Sequence, residues 1–177
     1  MSEAIETITL AGGCFWCVEA VFEQLRGVVE VQSGYSNGHA PAPTYEAVCT
    51  GSTGHAEVVQ VRFDARRLPL ADVLKVFFAT HDPTTSNRQG ADVGTQYRSA
   101  IYYSDDSQRQ VIARVMAEAN DEFEGKVVTQ VQPLSNYSAA EAYHQHYFAN
   151  NPDQGYCAAV IGPKIEKFRK VFKDQLA

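Results

Sequence analysis

Cys14 and Cys17 stand three residues apart, behind Gly12-Gly13 and on either side of Phe15-Trp16. Two glycines between a strand-like run and a helix-like run let the backbone turn sharply and place Cys14 at a helix N-terminus. Free N–H groups and the helix dipole favour a thiolate there, so its pKa is expected below the usual value of about 8.5. Such a sulfur can act as a nucleophile at neutral pH. A buried cysteine packed beside two aromatics is the inert alternative. Phe15 and Trp16 serve either as core or as the wall of a pocket, and rings suit an apolar group carrying a polarisable sulfur. Cys17 lies one helical turn from Cys14, a spacing that closes to a disulfide and points to redox work. A zinc site at the pair is not expected, because Cys49 and Cys157 stand singly and do not form a second pair.

Glu57 is the second informative residue. In His55–Phe63, alternation puts Glu57, Val59, Val61 and Phe63 on one face and Val58, Gln60 and Arg62 on the other. A carboxyl in line with three apolar residues is either in solvent near the sheet edge or desolvated. Desolvation would keep it protonated as a general acid. Tyr45, Tyr97 and Asp92 flank these segments, and the tyrosine hydroxyls matter if an oxygen must be held by donors. His144 and His146 do not share a helix face, so a two-histidine metal site is not expected. No phosphate-binding glycine loop, dinucleotide fingerprint or serine nucleophile elbow is present.

These side chains need a scaffold, and the pattern supplies one. Strands are expected at 5–10, 28–34, 55–63, 97–103 and 127–133. Helices are expected from Cys14 to Gly27, around 70–78, over 105–123, from a capping box at Ser138–Glu141 to Phe148, and over 163–176. Residues 34–41 and 81–95 read as loops, and Cys49 as a loop residue. Strands and helices mix without strict alternation, which predicts an α+β two-layer sandwich rather than a doubly wound sheet.

At 177 residues, 45% hydrophobic and 20% charged, the chain fits one catalytic domain, with a core over about 5–160 and a basic helix over 163–176. Lys164, Lys167, Arg169, Lys170 and Lys173 read as the solvated face of that helix. With a net charge of −6, neither nucleic acid nor an anionic membrane is an expected partner. Met1–Glu6 has no basic n-region, and no apolar run reaches membrane-span length. The expected location is the cytoplasm, where thiols stay reduced, and the expected state a monomer.

Five segments in order resemble the A-type peptide-methionine sulfoxide reductases: Gly13–Trp16, Thr53–Val58, His81–Thr84, Asp92–Ser99 and His144-Gln145. The resemblance implies a ferredoxin-like α/β roll with a mixed central sheet. It also implies reduction of the S-epimer of methionine sulfoxide, free or in proteins, with no cofactor beyond a dithiol reductant such as thioredoxin or dithiothreitol. It makes Cys14 the nucleophile, Glu57 the acid, Tyr45 and Tyr97 the holders of the sulfoxide oxygen, and Phe15 and Trp16 the wall for the substrate methyl. Asp92 and His144 would support the site. Many members have glycine where Cys17 stands, and many end in a glycine-rich tail bearing the recycling cysteine. Here Cys157 leads into an apolar, ordered-looking run, so Cys17 is favoured over Cys157 as the resolving thiol. Two other readings compete: a general thiol–disulfide oxidoreductase built on Cys14 and Cys17, which leaves Glu57 without work, and a non-catalytic module binding methionine peptides.

Overall fold

The structure is a computed structural model that describes residues 4–177; the first three residues of the N-terminal segment read above lie outside it. Its elements are β1 (Ile5–Gly12), α1 (Phe15–Phe22), β2 (Val28–Ser36), α2 (Tyr45–Cys49), β3 (Ala56–Asp64), α3 (Leu70–Thr80), β4 (Arg88–Gln89), β5 (Asp92–Val93), β6 (Ser99–Tyr103), α4 (Asp106–Glu122), β7 (Gln130–Pro133), β8 (Ser138–Ala139), α5 (Tyr147–Asn150) and α6 (Gly162–Val171). Six strands form one sheet in the order β7-β6-β1-β3-β2-β8, with β4 and β5 a separate hairpin. β3 runs antiparallel to both β1 and β2, and β6 antiparallel to β1. The order β6-β1-β3-β2 therefore interlocks two split βαβ units, one through α1 and one through α3, which is the ferredoxin-like arrangement. β7 adds to β6 in parallel, so the sheet is mixed.

The alternation in β3 decides what each face covers. Val59, Val61 and Phe63 join Ile8, Leu10 and Ile101 in the main core, against Val18, Phe22, Val73, Phe77, Ile112 and Val115 of the helices. Ala56 and Val58 instead meet Ala11, Ala100 and Tyr102 on the other face, with Leu134 and Tyr137 packed on them. The chain end folds back on the end of α1: Arg26 N–H donates to Gln175 at 2.8 Å and Ala177 N–H to Gln24 at 2.8 Å. Among the described residues no helix is long and apolar enough to cross a membrane.

Several expectations need correction. Ser138–Glu141 does not cap a helix. Ser138 and Ala139 pair with Tyr35 and Gly34 as the edge strand, because the Glu141 carboxylate is taken by the Tyr35 hydroxyl (2.7 Å) and the Tyr45 N–H (2.9 Å). Ala142–His144 is then a 3-10 turn, and His146, at φ 55°, separates it from the single turn of α5. Cys49 ends a short helix rather than lying in a loop; Thr44 caps it by accepting from Ala47 N–H. The loop at 81–95 contains the β4–β5 hairpin. Tyr97 closes a 3-10 turn before β6 rather than opening the strand. The last helix begins as a π turn at Cys157–Ile161, well before residue 163.

Candidate active site

The β1–β3 register sets Leu10 opposite Val59, so Glu57 comes level with Gly12, the last residue before the cysteine turn. Gly13 makes that turn at φ 95°, and a Cβ there would meet Gln89 side-chain carbons at 2.7 Å. Gln89 is held in turn by Asp82, accepting from its N–H at 2.8 Å and donating to its carbonyl at 2.9 Å. The glycine is thus required both for its backbone angle and for the close approach of the β4–β5 hairpin. Beyond it Cys14 is the N-cap of α1, and its carbonyl accepts from Cys17 N–H at 3.1 Å.

Glu57 is 1% exposed, on the core face, as the desolvated alternative required. Phe15 N–H donates to its Oε1 at 3.1 Å, and its Oε2 has no partner among the described residues. Burial pushes its carboxyl up to about 8; the Phe15 N–H works against that and the Asp92 charge with it. At neutral pH the group keeps its proton.

The expected depression of the Cys14 thiol is not found. Burial first, then the facing Glu57 and Cys17, hold it well above the ordinary thiol range, and the Trp16 N–H offsets only part of this. The helix terminus acts as predicted in sign, but desolvation outweighs it. Cys17 is also raised by burial, while the neighbouring Lys164 pulls it down.

The aromatics form one continuous wall. Phe15 stacks near Tyr45 at 6.3 Å and tilts against Tyr35 at 5.6 Å and His144 at 5.2 Å. Trp16 stacks on Tyr147 at 3.9 Å, lies 6.1 Å edge-on from Tyr156, and donates from Nε1 to His144 Nδ1 at 2.9 Å. His144 is fully buried, and burial lowers its pKa, so it stays neutral with Nδ1 as the acceptor. Burial, and next the Glu57 carboxyl, raise the phenols of Tyr45 and Tyr97. Both are therefore O–H donors close to the same acid. Asp92 accepts from the Tyr156 hydroxyl at 2.6 Å.

Beside the turn lies a pocket of about 170 Å³ lined by residues that include Cys14, Cys17, Asp92, Tyr156 and Lys164. The structure thus gathers Cys14, Phe15, Trp16, Cys17, Tyr45, Glu57, Asp92, Tyr97 and His144 around one turn. Cys157 is buried in the core with its N–H held by Gln154 at 3.0 Å. Its thiol is raised by burial and then by Cys17. Cys49 is exposed.

A family model described as peptide methionine sulfoxide reductase matches residues 6–176. The chain belongs to that family. It is similar to peptide methionine sulfoxide reductase MsrA of Thermus thermophilus, at 55% identity over 97% of each chain. In structure it is similar to the reduced form of Mxr1 from Saccharomyces cerevisiae, with TM-score 0.82 and 35% identity over 89% of this chain and 91% of that one. It is also similar to Mxr1 in complex with Trx2, at TM-score 0.58 and 25% identity over 83% and 87%.

Several residues of the site escaped the sequence reading, among them Tyr35 and Tyr147 of the aromatic wall. Gln89 acts through a contact with a glycine far away in sequence. Tyr156 carried no local signal. Lys164 was assigned to a solvated face, yet it is half-buried beside Cys17; its neighbours there, Cys14, Cys17 and Asp92, are distant in sequence.

Proposed function

We propose that the protein reduces the S-epimer of methionine sulfoxide, free or within polypeptides, with Cys14 as nucleophile and Glu57 as general acid. The observation that carries this reading is a buried, protonated carboxyl hydrogen-bonded to the backbone of the turn that bears the thiol. Glu57 donates to the sulfoxide oxygen while Tyr45 and Tyr97 hold it, and the Cys14 sulfur attacks the substrate sulfur. Attack forms a bond between the two sulfurs; that bond and the sulfur–oxygen bond then break as the oxygen passes to Cys14, so the sulfoxide sulfur gains two electrons and the Cys14 sulfur loses two. The thiol proton is retained overall, by return to Glu57, so the products are methionine and a Cys14 sulfenic acid. With Glu57 neutral, its repulsion of the developing thiolate is absent. The raised thiol pKa thus places deprotonation within the substrate complex rather than in the resting protein.

Phe15 and Trp16 receive the substrate methyl, with His144 fixing the Trp16 ring and Asp92 the Tyr156 edge. Cys17 then attacks the sulfenic sulfur, forming a disulfide and releasing water, and Lys164 favours the Cys17 thiolate. A dithiol reductant of the thioredoxin type reopens the disulfide by exchange; the complex of the yeast relative with Trx2 supports this partner. The reaction runs on the chain's own thiols without a bound cofactor, as one domain over 1–177, and the cytoplasm is the proposed setting. A single-turnover assay with each epimer tests the proposal. Methionine should appear at one equivalent from the S-epimer alone, and Cys14→Ser should abolish it with the fold intact. Full activity in that variant would end the reading.

A further inference from the structure

We propose that Glu19, Glu23 and His146 form a site for one divalent first-row transition ion of the zinc class. One carboxylate oxygen from each glutamate and a ring nitrogen of the histidine lie within 4.8 Å of one another. Glu19 and Glu23 sit at i, i+4 on the end of α1, one turn apart on the same side. His146 reaches them from the short segment before α5 and contacts the Glu23 carboxylate.

Glu19 supplies the independent observation. It is 1% exposed; among the described residues its Oε2 makes no hydrogen bond of ordinary geometry and Oε1 accepts a long 3.3 Å bond from Tyr147 N–H, with the His146 N–H and the Ser33 hydroxyl as weaker neighbours. A carboxyl withdrawn from water needs a proton, a donor or a cation, and a proton on His146 shared with Glu23 does not reach that oxygen. Ligands about 2.0–2.2 Å from a tetrahedral ion stand about 3.3–3.6 Å apart, so side-chain rotation must close the widest separation by up to about 1.5 Å. One imidazole and two carboxylates, without a thiolate, suit zinc, cobalt or manganese better than magnesium or calcium, which favour all-oxygen shells. The exposed side of His146 leaves room for water as a fourth ligand. The sequence reading missed this grouping because it weighed His146 against His144, whereas its partners lie more than a hundred residues away.

An ion there clasps the 142–150 segment to α1. That segment carries His144 and Tyr147, which hold the Trp16 ring by the 2.9 Å hydrogen bond and the 3.9 Å stack. The site therefore acts on the rigidity of the aromatic wall and takes no part in the chemistry at Cys14.

Zinc chloride titrated calorimetrically into the full chain carrying Cys14→Ser and Cys17→Ser tests this, because that background removes the competing thiol pair. One equivalent should bind, and amide hydrogen exchange across 142–150 should slow. His146→Ala and Glu23→Gln, placed in that background at surface positions the fold tolerates, should each weaken binding at least tenfold and abolish the slowing. No saturable binding in the parent, or affinity within tenfold of the parent in either variant, would overturn the site.

Discussion

The main-chain N–H of Phe15 donates to Glu57 Oε1 at 3.1 Å, joining the acid on β3 to the turn that carries Cys14. The bond orients one carboxyl oxygen and leaves the other, buried and unpartnered, for a ligand. The helix terminus that the sequence assigned to the thiol thus also serves the acid, and this divides the electrostatic work differently from the simplest expectation.

Replacing Glu57 should separate activity from stability. Glu57→Gln should slow single-turnover reduction by about 10²–10⁴-fold, the usual worth of a positioned acid. In the parent the same rate should fall as pH rises through about 8, where the carboxyl loses its proton. The folded pKa lies above the unfolded value, so the native state binds the extra proton. Its stability is full below about 4.5 and declines as pH climbs toward 8. At about 1.4 kcal/mol per unit, the cost at pH 7 is on the order of 3 kcal/mol. Glu57→Gln should therefore melt higher than the parent at pH 7 and equally at pH 4, as scanning calorimetry at the two pH values would reveal. A lower melting point at pH 7 would contradict the assignment.

The two candidate resolving thiols should behave oppositely. Cys17→Ser should give one equivalent of methionine and then stall with thioredoxin as reductant, turnover falling at least tenfold and a sulfenic acid accumulating. Cys157→Ser should keep turnover within a few-fold while losing about 1–3 kcal/mol of stability, because a hydroxyl replaces a thiol in the apolar core. Mass mapping after one turnover would find Cys14 linked to Cys17; a Cys14–Cys157 bridge would reverse the roles.

Period-two alternation in β3 reported its buried face correctly, because a central strand must keep one register; it left open whether Glu57, near the strand end, was buried with it. The α1 periodicity and the Gly12-Gly13 break located the cysteine turn for the same reason: both are local. What stayed illegible was set by distant partners. The capping box at Ser138 lost to an edge-strand pairing and to Glu141's bonds with Tyr35 and Tyr45. The sign of the Cys14 shift depended on how far the half-buried sulfur is withdrawn from water by its neighbours, which no spacing encodes. Lys164 was misplaced because its neighbours in the pocket, Cys14, Cys17 and Asp92, lie far away in sequence.

Removing either phenol hydroxyl should tax the transition state more than the ground state. Tyr45→Phe and Tyr97→Phe should each lower kcat about 10²-fold, the order found for one oxyanion donor. KM should move little, because the ring contacts survive. Steady-state kinetics on free S-sulfoxide would check this, and a rise in KM at constant kcat would reassign the tyrosines to binding alone.

Lys164 offers the sharpest separation of the two chemical steps. It lines the pocket with both sulfurs, and its charge is the largest influence opposing the burial that raises Cys17. Glu57 and Tyr97, by contrast, do not line that pocket. Lys164→Met keeps the stem that packs there and removes the charge. The methionine burst should therefore be unchanged, while the following disulfide step slows at pH 7, because loss of the charge leaves less Cys17 thiolate. The pH profile of that second step should move to higher pH, and alkylation of Cys17 by iodoacetamide should follow it. Rapid quench for the burst and tryptophan fluorescence for disulfide closure resolve the phases. If both phases slowed together, Lys164 would belong to the sulfoxide site; if neither did, the charge would have no part in resolving the sulfenic acid.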